Sequence, residues 1–361
     1  MLAWLALLIG VLGVTALMLL RVRQAQSVSA AASSDTALPI APRHTAETSG
    51  TLVPFQTEVT IDAQAECYRL AFAVRRSDYR ILGPHQQILQ QVERSLPQAL
   101  REQRHFPRRP SLLPKLLRTL NDKGSTRDEI SRLILQDPIL AGNVLQRANS
   151  AFYRQQNAPA VESVDRAVVI LGVDGLRAPV AAAAMQPVFR TPQGFFERFA
   201  PMTWQQAHYS ALAAEAYARV HRGGDPFIAH LAALLGGLGR IVLFRLVLDQ
   251  YRERGNLMPR PEVFIQSMMT HARVLSRRVA AEWQMSDGFL SALDAQIEQQ
   301  LPAHMKPLAR ALYFGELAGM AGLLVRHESR TPDQANELLA QQGVDNDTIA
   351  VLLRATEAAA A

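Results

Sequence analysis

The sequence has little cysteine and little lysine. Its 361 residues include one cysteine, Cys67, and three lysines beside 35 arginines. A single cysteine excludes an intrachain disulfide and any thiolate-rich metal site. We expect Cys67 to be a buried small apolar residue, because no histidine lies near it in the sequence. Charged residues make up only 19% and apolar residues 48%, a composition that excludes a disordered tail and supplies ample core material.

A long apolar run occurs at the start of the chain. Residues 1–20 contain no ionisable side chain, and as a helix they would span about 30 Å, the hydrocarbon thickness of a bilayer. Arg21 and Arg23 follow at once, and no basic residue precedes the run, which favours a cytoplasmic location for the rest of the chain. We predict a single-pass anchor in the inner (cytoplasmic) membrane with the N-terminus outside. The alternative, a cleaved signal peptide, would place the mature N-terminus near Ala31.

The formal net charge of +6 is unevenly distributed. Residues 21–118 carry 14 basic and 8 acidic side chains, whereas the remainder holds 24 of each. Residues 21–50 lack a hydrophobic period and are predicted to form a flexible linker. The arginines of the membrane-proximal region, 51–104, are either solvated surface residues or face an anionic lipid surface, where each adds up to about 1 kcal/mol of attraction. No recognition-helix signature accompanies them, so a nucleic-acid partner is not expected.

The hydrophobic periodicity predicts an all-α protein. In the membrane-proximal region, whose fold is uncertain, residues 57–70 are compatible with a short strand followed by a helix, and residues 86–100 with an amphipathic helix crossed by Pro97. Capping boxes at Ser125/Asp128 and Thr126/Glu129 precede an apolar stripe. Further helical patterns cover 207–221, 226–245, 261–283, 286–300, 308–327 and 331–356.

Four sequence elements, in order and spacing, resemble the HDOD domain family. They lie at 106–114 (FPRRPSLLP), 134–138 (ILQDP), 148–153 (ANSAFY) and 163–172 (SVDRAVVILG). The resemblance covers residues 105–300 and implies an HD-like multi-helix bundle, with residues 301–361 as C-terminal helices packing on it. HDOD domains are similar to metal-dependent HD hydrolases, generally lack their catalytic residues, and occur in bacterial signalling proteins.

The resemblance also makes predictions about catalysis. His208 matches the first histidine of an HD hydrolase, and Gly236 and Gly237 stand where the adjacent His-Asp pair should be. His271 lies where related cyclic-dinucleotide phosphodiesterases can carry another histidine, but their Gly-Tyr-Pro signature is missing. Because glycine has no side-chain donor atom, too few ligands remain to hold a metal that activates water. We therefore expect no metal, no cofactor and no enzymatic activity.

The remaining candidates have structural explanations beside the functional ones. Gly236, Gly237 and Gly239 do not form a dinucleotide-binding fingerprint and are better explained by close helix packing. His208 is more simply a structural histidine, and His230 is off the i+4 face of Gly236. Helix capping accounts for Asp137 and Asn149. Otherwise Asp137, Asn149 and His208 are the candidate partner-binding residues.

Two functional hypotheses remain open at this point. The first is a membrane-anchored, non-catalytic signalling or regulatory protein that binds a protein or small-molecule partner. Its pocket is expected between the helix from Asp137 to Asn149 and the helices carrying His208 and Leu235. The second is a residual HD-type phosphohydrolase. Its rebuilt metal site would use His208, His271, and Asp225 or Asp249.

Overall fold

A computed structural model describes residues 55–74, 80–102, 119, 126–135, 138–149, 159–191, 194–222 and 224–357 of the chain. No strand occurs among these residues, and the all-α prediction is confirmed. The helices are α1 (Phe55–Ala71), α2 (Pro84–Glu102), α3 (Arg127–Leu135), α4 (Pro138–Ala148), α5 (Val164–Met185), α6 (Phe199–Val220), α7 (Pro226–Gly236), α8 (Leu238–Glu253), α9 (Pro261–Glu282), α10 (Asp287–Ile297), α11 (Pro307–Arg326), α12 (Pro332–Ala340) and α13 (Asn346–Glu357). Short 3-10 turns cover Gln186–Phe189 and Pro302–His304.

The membrane-proximal region contributes two helices that pack into the main core. The strand considered within 57–70 is wrong, because the whole stretch lies in α1. The reason is its apolar spacing: Ala63, Cys67 and Ala71 are buried at intervals of four residues, which is a helical period. The second prediction is confirmed, since Pro97 lies inside α2.

An aromatic cluster joins α1 to the rest of the protein. Phe72, just after α1, stacks on Phe199 with ring centroids 5.0 Å apart and lies 5.5 Å from Phe264. Such aromatic pairs contribute about 0.5–1.5 kcal/mol beyond the area they bury. On the flank of α1, Glu66 pairs with Arg330 at 2.8 Å. The N-terminal helices are therefore part of one folded body with the helices that follow.

Cys67 is buried, as predicted. Its Sγ points to the Met320 carbonyl oxygen at 3.9 Å. Burial raises the pKa of the Cys67 thiol to about 12. A neutral, enclosed thiol of this kind packs as a small apolar group and is not a nucleophile.

A separate core joins α3, α4 and α5. The capping box at the start of α3 is confirmed, because the Glu129 amide donates to Thr126 Oγ1 and Glu129 Oε2 accepts from the Thr126 amide. Ser125 lies outside the described residues. In α5 Gly172 has a left-handed φ of 63° and kinks the helix. Ile134, Val144 and the first turns of α5 are buried together.

Glycines set the closest helix contacts. A Cβ on Gly239 of α8 would lie 1.8 Å from the Ala272 carbonyl oxygen of α9. Likewise, a Cβ on Gly315 or Gly319 of α11 would lie within 2.5 Å of α6 atoms. The predicted packing role of Gly239 is confirmed, since no larger residue allows these backbones to approach so closely.

Two stretches of the described chain are long and apolar enough to cross a membrane, Pro226–Glu253 and Pro307–Arg326. Their most apolar windows are 89% and 67% buried inside the protein. Buried core helices meet the same criterion of length and composition, so packing in the interior accounts for both. The predicted anchor at residues 1–20 and the linker at 21–50 lie outside the described residues.

A substitution pair tests the glycine contact. Gly239→Ala should destabilise the protein by about 3 kcal/mol or more, because the new methyl group meets backbone atoms that cannot move aside cheaply. Gly142→Ala in α4 is the matched control: a Cβ there meets nothing within 4 Å, and the change should be neutral or stabilising by up to about 1 kcal/mol. Urea denaturation measures both. Equal stabilities for the two variants would contradict the close packing.

Candidate functional site

The junction between α7 and α8 lies at the position that the family resemblance assigns to the lost His-Asp pair. One side chain of α9 holds it in place. The Ser276 hydroxyl donates to the Gly236 carbonyl oxygen at 2.6 Å and accepts from the Gly239 amide at 2.9 Å. These two hydrogen bonds satisfy backbone groups that have no helical partner where one helix ends and the next begins. The stretch 226–245 thus holds two helices, with Arg240 in the first turn of the second.

The junction does not fit a metal ion. A Cβ on Gly237 would lie 3.0 Å from the Ala207 Cβ, and a Cβ on Gly236 would lie 3.2 Å from Glu316 Oε1. There is no room for an imidazole or a carboxylate at Gly237, and glycine itself offers no ligand atom. Among the described residues, no group of three or more His, Cys, Asp or Glu side chains is placed to hold a metal.

His208 lies on α6, one residue after Ala207. Its ring stacks on Trp204, with centroids 5.5 Å apart and an interplanar angle of 14°. Nδ1 of His208 is buried and has no hydrogen-bond partner in the part of the chain that the structure describes. Burial lowers the pKa of His208 to about 3, with His230 and Arg147 adding to the effect and Glu215 opposing it. His208 is thus a neutral imidazole packed on an indole.

A hydrogen-bond network centred on the buried Glu215 lies beside His208. His230, which is fully buried, has Nδ1 3.1 Å from Glu215 Oε2, and Arg219 donates to Glu215 Oε1 at 2.7 Å. Burial alone would raise the pKa of Glu215, but its bonds with His230 and Arg219 outweigh burial and lower it to about 2. No sequence motif indicates this network beyond His230 itself, because Glu215 pairs with it from another helix.

The candidate ligands of a rebuilt metal site are dispersed among other contacts. Asp225 caps α7 by accepting from the Phe227 amide at 2.8 Å. Asp249 pairs with Arg252 at 3.4 Å. His271 is half-buried, which lowers its pKa, while nearby Glu93 on α2 opposes that shift. None of these side chains meets His208.

Asn149 makes internal hydrogen bonds with its whole amide group. Its Nδ2 donates to the Leu145 and Val161 carbonyl oxygens at 3.0 and 2.9 Å, and Oδ1 accepts from the Val161 amide at 2.8 Å. The first bond caps the end of α4, and the other two tie the following segment to it. Asp137 lies outside the described residues.

A cavity of about 180 Å³ opens beside Gly236, at the end of α7. It lies away from the pocket expected from the sequence, since none of its lining residues comes from α4. α6 contributes Gln206 and Ser210 to it rather than His208, and α7 contributes Gly236. The sequence analysis did not predict that α1 lines the cavity. The helical spacing of the apolar residues in that segment could have indicated that it packs against the other helices. The other polar lining residues are Thr60, Gln64, Tyr68, Arg240, Arg273, Gln296, Gln299, Gln300, Tyr313 and Glu316.

Acid titration tests the lowered pKa of His208. The pKa of His208 falls from 6.5 in the unfolded chain to about 3 in the folded one, so the unfolded chain binds more protons between these values and stability is lost as the pH falls through them. His208→Phe keeps a ring on Trp204 and removes the titration. Between about pH 6.5 and 5, the wild type should lose up to about 1.4 kcal/mol per pH unit more than the variant in urea denaturation. Identical pH slopes would contradict the assignment.

Comparison with known proteins assigns the fold. No curated protein sequence matches this chain. Two solved structures are similar in fold alone: a protein from Shewanella amazonensis SB2B named for a proposed metal-dependent phosphohydrolase activity (15% identity, TM-score 0.53, 75% of this chain and 99% of that one) and an HDOD domain protein of unknown function from Geobacter sulfurreducens (19%, 0.50, 74% and 93%). The HDOD domain matches residues 106–298, more than half of the sequence. The chain therefore belongs to the HDOD domain family.

Proposed function

We propose that this protein is a membrane-anchored, non-catalytic regulatory module that binds a partner through its helical body. The observation that carries the proposal is the α7–α8 junction. Two glycines stand where the related hydrolases need ligands, and the space around Gly237 is filled by Ala207 and Phe189. The remaining group near Gly237 is the Arg240 guanidinium, and a cation that only donates hydrogen bonds cannot serve as a metal ligand.

The proposal is favoured over residual phosphohydrolase activity by the positions of the remaining candidates. Metal-assisted hydrolysis needs several nitrogen or oxygen ligands converging on one point, with an open position for water. His208 packs against Trp204, Asp225 caps α7, and Asp249 pairs with Arg252. No observation on the described residues specifically favours the hydrolase.

The membrane part of the proposal rests on the sequence. Residues 1–20 are uncharged and long enough to span a bilayer, and arginines follow them. The basic surplus between residues 21 and 118 is placed where it would meet an anionic leaflet. The anchor would hold the helical body in the cytoplasm at the inner membrane, where it would meet a protein or small-molecule signal.

Elemental analysis and a hydrolysis assay test the absence of catalysis. The full chain, purified in detergent after growth with Mn, Fe and Zn supplied, should carry less than stoichiometric metal. It should hydrolyse bis(p-nitrophenyl) phosphate no faster than the buffer containing the same metals. One bound transition metal per chain together with hydrolysis above that background would overturn the non-catalytic proposal.

Membrane fractionation tests the anchor. The full chain should sediment with inner membranes and resist extraction by high salt, because burial of an apolar helix does not depend on ionic strength. Deleting residues 1–20 should move the protein to the supernatant at high salt. A full chain that is released by salt alone, or whose mature N-terminus lies near Ala31, would contradict the proposed anchor.

A further inference from the structure

The cavity beside Gly236 contains an unpaired guanidinium. Arg240 is only 8% exposed, and its Nε atom is buried without a hydrogen-bond partner among the described residues. No ion pair joins it to a carboxylate in that part of the chain. A buried cation is costly unless it is paired. Arg240 is therefore placed to bind an anion from outside the protein, because no carboxylate of the described residues pairs with it.

Two further residues of the cavity lining each carry a buried, unpaired polar atom. Gln64 Nε2 and Gln296 Oε1 are buried and without partners among the described residues. Both side chains are nevertheless held in place: Gln64 Oε1 accepts from Gln206, and Gln296 Nε2 donates to the Ala309 carbonyl oxygen at 2.8 Å. Buried polar groups in native proteins are normally bonded. One cavity is thus lined by three residues with unpaired polar atoms: a donor on Gln64, an acceptor on Gln296 and the guanidinium of Arg240. Together they indicate a polar ligand.

The charges at the cavity favour a ligand with one negative charge. Besides Arg240, the lining holds one more arginine, Arg273, which pairs with Glu316 at 3.6 Å and donates to the Gln296 carbonyl oxygen. The pair leaves Arg240 as the net positive charge of the lining. The Gly239 amide, the backbone donor closest to Arg240 in the sequence, is already bonded to Ser276. A carboxylate matches a single guanidinium in charge and geometry, whereas a phosphate dianion would exceed it.

The size and the apolar part of the wall limit the rest of the ligand. A volume of about 180 Å³ is below the roughly 300–1,000 Å³ of sites for drug-sized ligands. Methionines form much of the apolar wall, and methionine adapts its shape to small ligands. The apolar lining residues are Ile61, Ala233, Met268, Met269, Ala272, Leu301, Pro302 and Met305.

We propose that this cavity binds a small organic acid, with the carboxylate on Arg240 and a short apolar chain against Met268 and Met305. The inference deepens the proposed regulatory function by naming the class of signal. The ligand is enclosed by parts of the chain on both sides of residues 106–298, since Gln64 and Tyr68 come from α1 and Met305 and Glu316 from the C-terminal part. Binding would therefore join the N-terminal helices to the C-terminal ones.

Calorimetric titration with hexanoate tests the inference. The full chain is placed in lipid nanodiscs, and a titration into empty nanodiscs is subtracted. Hexanoate should bind saturably with one site per chain, and hexanol and hexylamine, which share its apolar chain, should bind at least tenfold more weakly. Hexyl phosphate should also bind more weakly. No saturable hexanoate binding, equal binding of hexanol, or tighter binding of hexyl phosphate would overturn the proposal.

Arginine variants locate the site. Arg240→Met should lower hexanoate affinity at least tenfold and raise the melting temperature of the ligand-free protein, because an unpaired buried charge is replaced by an apolar side chain. Arg252→Met is the matched control on the same helix, where the side chain is half exposed and paired with Asp249; it should leave affinity unchanged. Gln64→Leu, on α1, should also lower the affinity for hexanoate. Hexanoate affinity unchanged in both Arg240→Met and Gln64→Leu would overturn the assignment.

The outcomes separate this inference from the proposed function. A chain that lacks metal and hydrolytic activity but does not bind hexanoate would leave the regulatory proposal standing and remove the acid site. Metal-dependent hydrolysis would overturn the regulatory proposal, and hexanoate titration of the metal-free chain would still decide whether the cavity accepts an acid.

Discussion

The close approach of α8 to α9 at Gly239 determines the rest of the site. At this contact the Ala272 carbonyl oxygen occupies the space that any Cβ at position 239 would need. Ser276 can then bond both Gly236 and Gly239, which fixes the turn between α7 and α8. Arg240 follows within one residue of the contact and enters the cavity from the first turn of α8. The glycines of this turn therefore offer no side-chain ligand for a metal, and the turn they form places the Arg240 cation in the cavity wall.

The two sides of α6 have different chemistry. On one side His208 packs against Trp204, and Glu215 bonds His230 and Arg219, while one ring nitrogen of each histidine is buried without a partner among the described residues. On the other side Gln206 and Ser210 line a cavity in which Arg240, Gln64 and Gln296 carry unpaired atoms. The histidines and Glu215 alone would suggest a functional site on the first side. The second side combines unpaired atoms with a cavity and an arginine, which is why we place the ligand there.

The sequence predicted local features well and long-range ones poorly. The Thr126/Glu129 capping box, the burial of Cys67 and the packing of Gly239 each depend on a few neighbouring residues or on side-chain size, and the structure confirms them. The membrane-proximal region was harder, because its helices are stabilised by contacts of Phe72 and Glu66 with residues far along the chain. The cavity combines α1, the central helices and the C-terminal helices, and no single motif encodes such a combination.

A crystal structure of the protein grown with both hexanoate and Mn²⁺ tests the central claim most directly, because acid and metal then compete for the same region. The account predicts carboxylate density on the Arg240 guanidinium and no anomalous manganese peak beside Gly236 or Gly237. An anomalous peak at these glycines, or a cavity without hexanoate, would contradict it.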